Sequence, residues 1–283
     1  MRLYGREFNF SQLMKLASLV GATASPLLLG ALRKGPLTAF DFAARTLETY
    51  RELTQVDPVP TTSLSELDAF AESDRNIWLD LSHRPTAMAT EELALLCAVV
   101  KWKNPQLAVE IGTLEGVTTL HISKNTSPAC RIFTVDLPPE VAQNMAPRFS
   151  DSHLVMRAAK RTQRVFGDDP KITQILQDST TIEWETVLDR PVDFAFIDAS
   201  HLYEHVRADT ERIMRVLAPG GVVMWHDYRP VEIRRGVTKH LRELHRNGLQ
   251  IRRFPNTSLC IYRRPVQERV VENPTSSVPV TAA

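Results

Sequence analysis

Short apolar runs recur along the second half of the chain: QLAVEI at 106–111, RIFTVD at 131–136, ITQILQ at 172–177, VDFAFI at 192–197 and GVVMW at 221–225. Each is too short for a helix, and most are too continuously apolar for a strand with one wet face, so they read as buried parallel strands. The segments between them carry helical patterning: GVTTLHISKN, a longer stretch from Pro138 to Asp169, TTIEWETVL, and YEHVRADTERIMRVLAPGG with a Pro-Gly-Gly stop. Ahead of the first run, MATEELALLCAVVKW predicts a helix with Thr90 as its N-cap that ends before Asn104-Pro105. EIRRGVTKHLRELHRNG supplies a further helix, and IRRFPNTSLCIYRR supplies two closing strands broken at Pro255-Asn256. The pattern predicts an α/β fold over residues 86–264, a doubly wound, Rossmann-like, mostly parallel seven-stranded sheet. Residues 265–283 have no apolar period and read as a disordered tail.

Residues 1–85 lack strand signals and predict an additional helical N-terminal region. LTAFDFAARTLETYREL has apolar residues at helical spacing, and PVPTTSLSELDAF reads as a proline-marked turn entering a short capped helix. Leu16 to Leu32 is an uncharged apolar stretch at the short limit for a bilayer span, and Gly21, Pro26 and Gly30 weaken it as a helix. A packed helical element is the favoured reading, over a membrane contact. Covering an acceptor site and mediating a homodimer are the other roles open to the region.

Composition removes several function classes. The chain has 283 residues, 43% of them hydrophobic, enough to bury a large core. Lys+Arg 34 against Asp+Glu 33 gives a net charge of +1, so nucleic acid is not an expected partner. Cys97, Cys130 and Cys260 are scattered and have no CxxC spacing, which argues against a disulfide framework or a zinc site and for a cytoplasmic setting.

Candidate chemistry begins at VEIGTLEGVTTL, residues 109–120, where the first predicted strand meets a helix. Gly112 and Gly116 would let the backbone pass close to a ligand at the switch point of the sheet. The pattern is E-x-G-x-x-x-G and not G-x-G-x-x-G, so a pyrophosphate, and with it a nicotinamide oxidoreductase, is disfavoured. Asp136 ends the second strand about 20 residues on, where a carboxylate can accept both hydroxyls of a ribose. Asp178 and Ser179 end the third, placed to meet an adenine edge. Strand four ends at Asp198, followed by His201, and strand five ends in Trp225-His226-Asp227-Tyr228. His121 reads as a core residue, whereas His240 and His245, on a charged helix, read as solvated. The basic clusters around Arg157 to Arg164, at Arg234-Arg235 and at Arg252-Arg253 read as solvated faces.

With these residues in order, VEIGTLEGVTT, TVD, LQDST and FIDASHLYEHVRADTERIMRVLAPGGVVMWHDY, the stretch from 88 to 264 resembles class I S-adenosylmethionine-dependent methyltransferases. It is similar to the small-molecule O-methyltransferase branch, catechol-like and natural-product sugar enzymes included. The resemblance implies methyl transfer to an oxygen of a small-molecule acceptor, such as a sugar or another polyhydroxylated metabolite. It implies that Glu110, Gly112, Thr113 and Gly116 frame the methionine part of the cofactor, Asp136 its ribose, and Asp178 with Ser179 its adenine. Metal-assisted relatives place oxygen ligands where Asp198, His226 and Asp227 stand here, so a divalent cation, magnesium or manganese, is implied as one mechanism. His226 departs from that pattern, and a metal-free mechanism with His226 or His201 as general base stays open beside it. The alternative function is a non-catalytic cofactor-binding scaffold. The resemblance says nothing of residues 1–85.

Overall fold

The computed structural model describes residues 2–3, 6–7, 57–67, 76–82, 88–145, 164–229 and 236–266. The apolar stretch at 16–32, the helical patterning at 36–56, residues 157–163 of the first basic cluster, Arg234-Arg235 and the tail beyond residue 266 lie outside them.

Seven strands form one sheet: β1 (Leu107–Ile111), β2 (Arg131–Asp136), β3 (Ile172–Leu176), β4 (Val192–Ile197), β5 (Leu217–Trp225), β6 (Arg252–Arg253) and β7 (Cys260–Arg263). Their order is β3-β2-β1-β4-β5-β7-β6. The first five are parallel and β7 runs antiparallel to both β5 and β6. The chain winds outward from β1 to β3, then crosses back to β4, so the switch point lies between β1 and β4, the predicted doubly wound arrangement. Among the described residues the α-helices are α1 (Thr90–Lys103), α2 (Val117–Lys124), α3 (Pro139–Met145), α4 (Trp184–Val187), α5 (Tyr203–Val216) and α6 (Gly236–Arg246).

Strand alternation builds the two faces. Val109, Ile111, Ala195, Ile197, Val223 and Trp225 enter one buried cluster with Val206 and Ile213 of α5 and Leu241 of α6. Ala108, Phe194, Phe196, Val222 and Met224 enter the other, with Leu93, Leu96 and Val100 of α1. Both faces of the central strands are dry, which is why their sequences are continuously apolar.

Several boundaries differ from the sequence reading. The residue capping α1 is Ala89, and Thr90 is its first helical residue, because the Glu92 carboxylate accepts the Ala89 N–H at 3.1 Å and does the capping from inside the helix. Ala218 to Gly221 belong to β5, since Gly220 donates to the Arg264 carbonyl and Arg264 to the Gly221 carbonyl. The extra residues are absorbed as an irregularity in the β4–β5 pairing. His240 is buried, not solvated, with its ring edge-on to Tyr203 at 5.7 Å between centroids. Its helix is charged, yet Thr238, His240 and Arg242 fall with Leu241 on the face that packs inward.

The described residues 57–67 and 76–82 pack on this core. Val59 lies in the main cluster, and residues 60–62 pair with Arg253 of β6 through Thr62 N–H to its carbonyl and its own N–H to Pro60. Residues 76–82 lie along α2, where Asn125 clamps the backbone of Trp78 from both sides and His121 accepts the Asp80 N–H at 3.1 Å. The other His121 nitrogen bonds to the Val117 carbonyl, as suits a core histidine. Packing therefore does not stop at residue 85.

Candidate functional site at the strand ends

Register assembles the site. Ile111 pairs with Val135 on one side and Ile197 on the other, and Ile197 pairs with Trp225. The next residues, Asp136, Gly112, Asp198 and His226, therefore stand in a row along the carboxyl edge of β2, β1, β4 and β5. Asp198 donates its N–H to the Ile111 carbonyl and His226 its N–H to that of Ile197, which fixes the row.

At the β1 end, the glycines serve the chain itself. A Cβ on Gly112, which has φ +106°, would lie 2.1 Å from the Asp198 carbonyl oxygen. One on Gly116 would meet the Phe166 ring at 2.6 Å. The bare backbone is thus required by the neighbouring strand end and by residues 164–166 laid over the loop. The side chains of Glu110 and Thr113, expected to frame a ligand, are turned inward. Glu110 accepts from Thr119 and Thr134, and Thr113 bonds to Thr134 at 2.7 Å, all buried. The threonine hydroxyls draw the carboxylate into the interior, where its other oxygen has no hydrogen-bond partner among the described residues.

Burial, only partly offset by the two threonine hydrogen bonds, pushes Glu110 up to about 8. A carboxyl whose pKa is raised on folding stabilises the native state below its unfolded pKa, near 4.5, and that contribution is lost as pH rises through about 8. A tenfold change in acidity between the folded and unfolded chain is worth about 1.4 kcal/mol. Glu110→Gln is expected to make the decline in melting temperature between these two pH values shallower than in wild type, the buried Asp209 contributing part of what remains. A variant whose pH profile parallels wild type would show that Glu110 is ionised in the fold.

Asp136 keeps a partly exposed carboxylate, with Oδ2 accepting from Leu114 N–H at 2.8 Å and Oδ1 from Leu137 N–H at 2.9 Å. Arg164 lies 3.7 Å away. Asp178 is exposed and caps the short 3-10 turn Ser179–Thr181 by accepting from Thr180. Ser179 meets the buried Asp209 of α5, whose burial pushes it up to about 7 against that hydrogen bond.

The β4 and β5 ends hold a linked set of histidines and carboxylates. His201 Nε2 lies 2.6 Å from Asp227 Oδ2. His226 Nδ1 lies 3.1 Å from Asp198 Oδ1 and 3.3 Å from Asp227 Oδ2, while its Nε2 lies 3.1 Å from Glu92 Oε2. Glu92 in turn accepts from the N–H and hydroxyl of Ser258, in the turn between β6 and β7. Burial alone would neutralise His226, but the charge of Asp198 and hydrogen bonds to three carboxylates outweigh it and raise its pKa to about 12. Against the same cost of burial, the His226 and Ser258 hydrogen bonds bring Glu92 down to about 2. Bonds from His201 and His226 hold Asp227 well below the usual carboxylate range.

His226 thus has both ring nitrogens against carboxylates, an arrangement that favours its charged form. The groups whose ligand atoms gather within 4.8 Å of one another are Asp198, His201 and Asp227. His201 is held in place from α6: a Cβ on Gly236 would lie 2.2 Å from the Tyr203 nitrogen, and Gly236 donates to the His201 carbonyl. Asp227 takes φ +62°, a left-handed conformation that costs a non-glycine residue about 1 kcal/mol or more. Glu92 was missed in the sequence, although an acidic residue on the same stripe as Leu96 and Val99 is a signal that could have found it.

Residues 109–228 match the family model described as a methyltransferase domain. Among solved structures, the chain is similar to the O-methyltransferase TomG of Streptomyces achromogenes, involved in tomaymycin synthesis and solved with S-adenosylmethionine. That match has 14% identity and a TM-score of 0.44, over 63% of this chain and 82% of that one. An O-methyltransferase from Bacillus cereus, solved with S-adenosylhomocysteine, matches at 17% identity and TM-score 0.44 over 64% and 84%. A methyltransferase from Geobacter sulfurreducens matches at 18% and 0.43 over 62% and 79%. No curated protein sequence matches significantly.

Proposed function

We propose that the chain, whose residues 109–228 match a methyltransferase domain model, is an S-adenosylmethionine-dependent methyltransferase that methylates an oxygen of a small molecule, with His201, held by Asp227, as general base. The observation that carries this reading is the 2.6 Å pair of His201 Nε2 and Asp227 Oδ2 at the strand ends beside the glycine loop. Methyl transfer from a sulfonium needs an acceptor oxygen aligned with the methyl group and relieved of its proton. Asp227 fixes the imidazole ring so that it can take that proton, and the Asp227 carboxylate stabilises the imidazolium that results. His226 is less suited to the task, because both of its ring nitrogens face carboxylates that favour its protonated form.

A second reading rests on the same atoms. Asp198, His201 and Asp227 offer two carboxylate oxygens and an imidazole nitrogen, a donor set that suits manganese, iron or zinc as well as magnesium. A cation there would lower the pKa of an acceptor hydroxyl. His226 would not be among its ligands.

The cofactor fits the other half of the row. Asp136 presents a partly exposed carboxylate beside the N-terminus of α2, and Asp178 lies one strand further out. Calorimetric titration of the protein with S-adenosylmethionine and S-adenosylhomocysteine tests this: wild type is expected to bind both, and Asp136→Ala to bind at least about tenfold more weakly, a loss of roughly 1.4 kcal/mol. Equal affinity in the variant would remove Asp136 from the site.

A further inference from the structure

We infer that Asp57, far upstream of the matched domain, is a positioning residue for the methyl-transfer site, acting through Tyr228 on Asp227 and thereby on His201. The inference rests on the reading of His201 and Asp227 given above. Tyr228 follows Asp227 directly, is buried, and donates its hydroxyl to Asp57 Oδ1 at 2.5 Å. Asp57 is itself anchored by two guanidiniums, Arg253 Nε at 2.8 Å from Oδ2 and Arg242 Nη2 at 3.4 Å from Oδ1. Arg242 Nε also reaches the Tyr228 hydroxyl at 3.3 Å. One carboxylate from the N-terminal segment thus ties together the end of β5, α6 and β6.

Asp227 needs such an anchor because its backbone is left-handed at φ +62°. That conformation persists only where its neighbours are fixed on both sides. On the near side, His226 N–H bonds to the Ile197 carbonyl, and its ring is held by Asp198 and Glu92. On the far side, Tyr228 N–H bonds to the Ser258 carbonyl and the side chain reaches Asp57. If the Asp57 contact is removed, the tyrosine can swing, Asp227 can relax out of the left-handed region, and its carboxylate leaves His201 Nε2. Asp57 is then a part of the site, although it lies upstream of the matched domain.

The test is nitrogen NMR of the His201 ring in full-length wild type, Asp57→Ala, Asp57→Asn and Tyr228→Phe, each saturated with S-adenosylhomocysteine. Loss of the contact is expected to move the Nε2 resonance of His201 from its hydrogen-bonded value toward that of a solvated imidazole in Asp57→Ala and Tyr228→Phe. Asp57→Asn retains an oxygen for the tyrosine hydroxyl and is expected to keep the wild-type resonance, although it melts at a lower temperature because the arginines lose their charge partner. A His201 resonance that stays put in Tyr228→Phe, which deletes one oxygen from a buried ring and keeps its shape, would overturn the inference even if Asp57→Ala fails to fold. Methylation is not the readout, so failure to find an oxygen acceptor for wild type would count against the function proposed above and not against the positioning.

Discussion

His201→Gln is expected to slow methyl transfer by about 10² to 10⁴, the usual contribution of a positioned general base, while leaving S-adenosylmethionine binding at the wild-type level. Glutamine keeps a polar group near Asp227 but cannot accept a proton at neutral pH. The binding half of the expectation follows from the sheet: Asp136 and Asp178 lie on the β2 and β3 side of the row, and His201 lies beyond β4. The measurement is S-adenosylhomocysteine formation with an alcohol or phenol that wild type methylates, repeated with a chelator and with added manganese. A variant as fast as wild type, together with a wild type silenced by the chelator and restored by manganese, would discard the base and leave a cation held by Asp198 and Asp227 without need of the His201 imidazole.

Gly112→Ala is expected to be the most damaging small substitution in the described chain. Its new methyl would sit 2.1 Å from the Asp198 oxygen, 2.6 Å from the Asp198 carbonyl carbon and 3.0 Å from the Ala199 nitrogen, and the backbone would still have to hold φ +106°. All three neighbours are backbone atoms fixed by the Asp198-to-Ile111 hydrogen bond, so none can turn aside. Relief requires β1 and β4 to part at the centre of the sheet. A cost above roughly 4 kcal/mol follows, exceptional for one methyl group and a large share of the 5–15 kcal/mol that holds a typical fold together. At about 2–4 °C of melting temperature per kcal/mol for a domain of this size, the protein should melt about 10 °C lower or fail to accumulate. Gly248→Ala is the control: its φ is +98°, yet a Cβ there meets nothing within 4 Å, so only the conformational cost remains. Thermal melts in which the two variants lose the same amount would show that strain and not the clash governs Gly112.

Much of the fold was legible because the relevant physics is local. The continuous apolar runs LAVEI and VDFAFI could only be strands covered on both faces, and the position of Asp136, Asp198 and His226 at the ends of such runs placed them on one edge. Chain order also gave the switch point, and with it the place of the glycine loop. Direction was not legible. Glu110 and Thr113 belong to the right loop, but whether a side chain at a strand end faces a ligand or a cluster of threonine hydroxyls depends on the pleat and on residues from β2 and α2. The same holds for His240, which sits on a charged helix whose inward face was set by α5.

Hydrophobic period and strand ends are properties of neighbouring residues, so the order of residues alone was enough to place the strands, the edge that carries the chemistry and the acidic groups at Asp136 and Asp198. Which histidine can act emerged only from packing. His226 and His201 are alike as residues near strand ends, but one is enclosed by Glu92, Asp198 and Asp227, which favours its charged form, while the other pairs with Asp227 at 2.6 Å and stays partly exposed. Glu92 and Asp57 come from segments far apart along the chain, and the charge each brings to the β5 end exists only once α1 and the N-terminal segment have packed against the sheet. Protonation is set by distance to charge and by loss of water, and neither is written in the order of the residues.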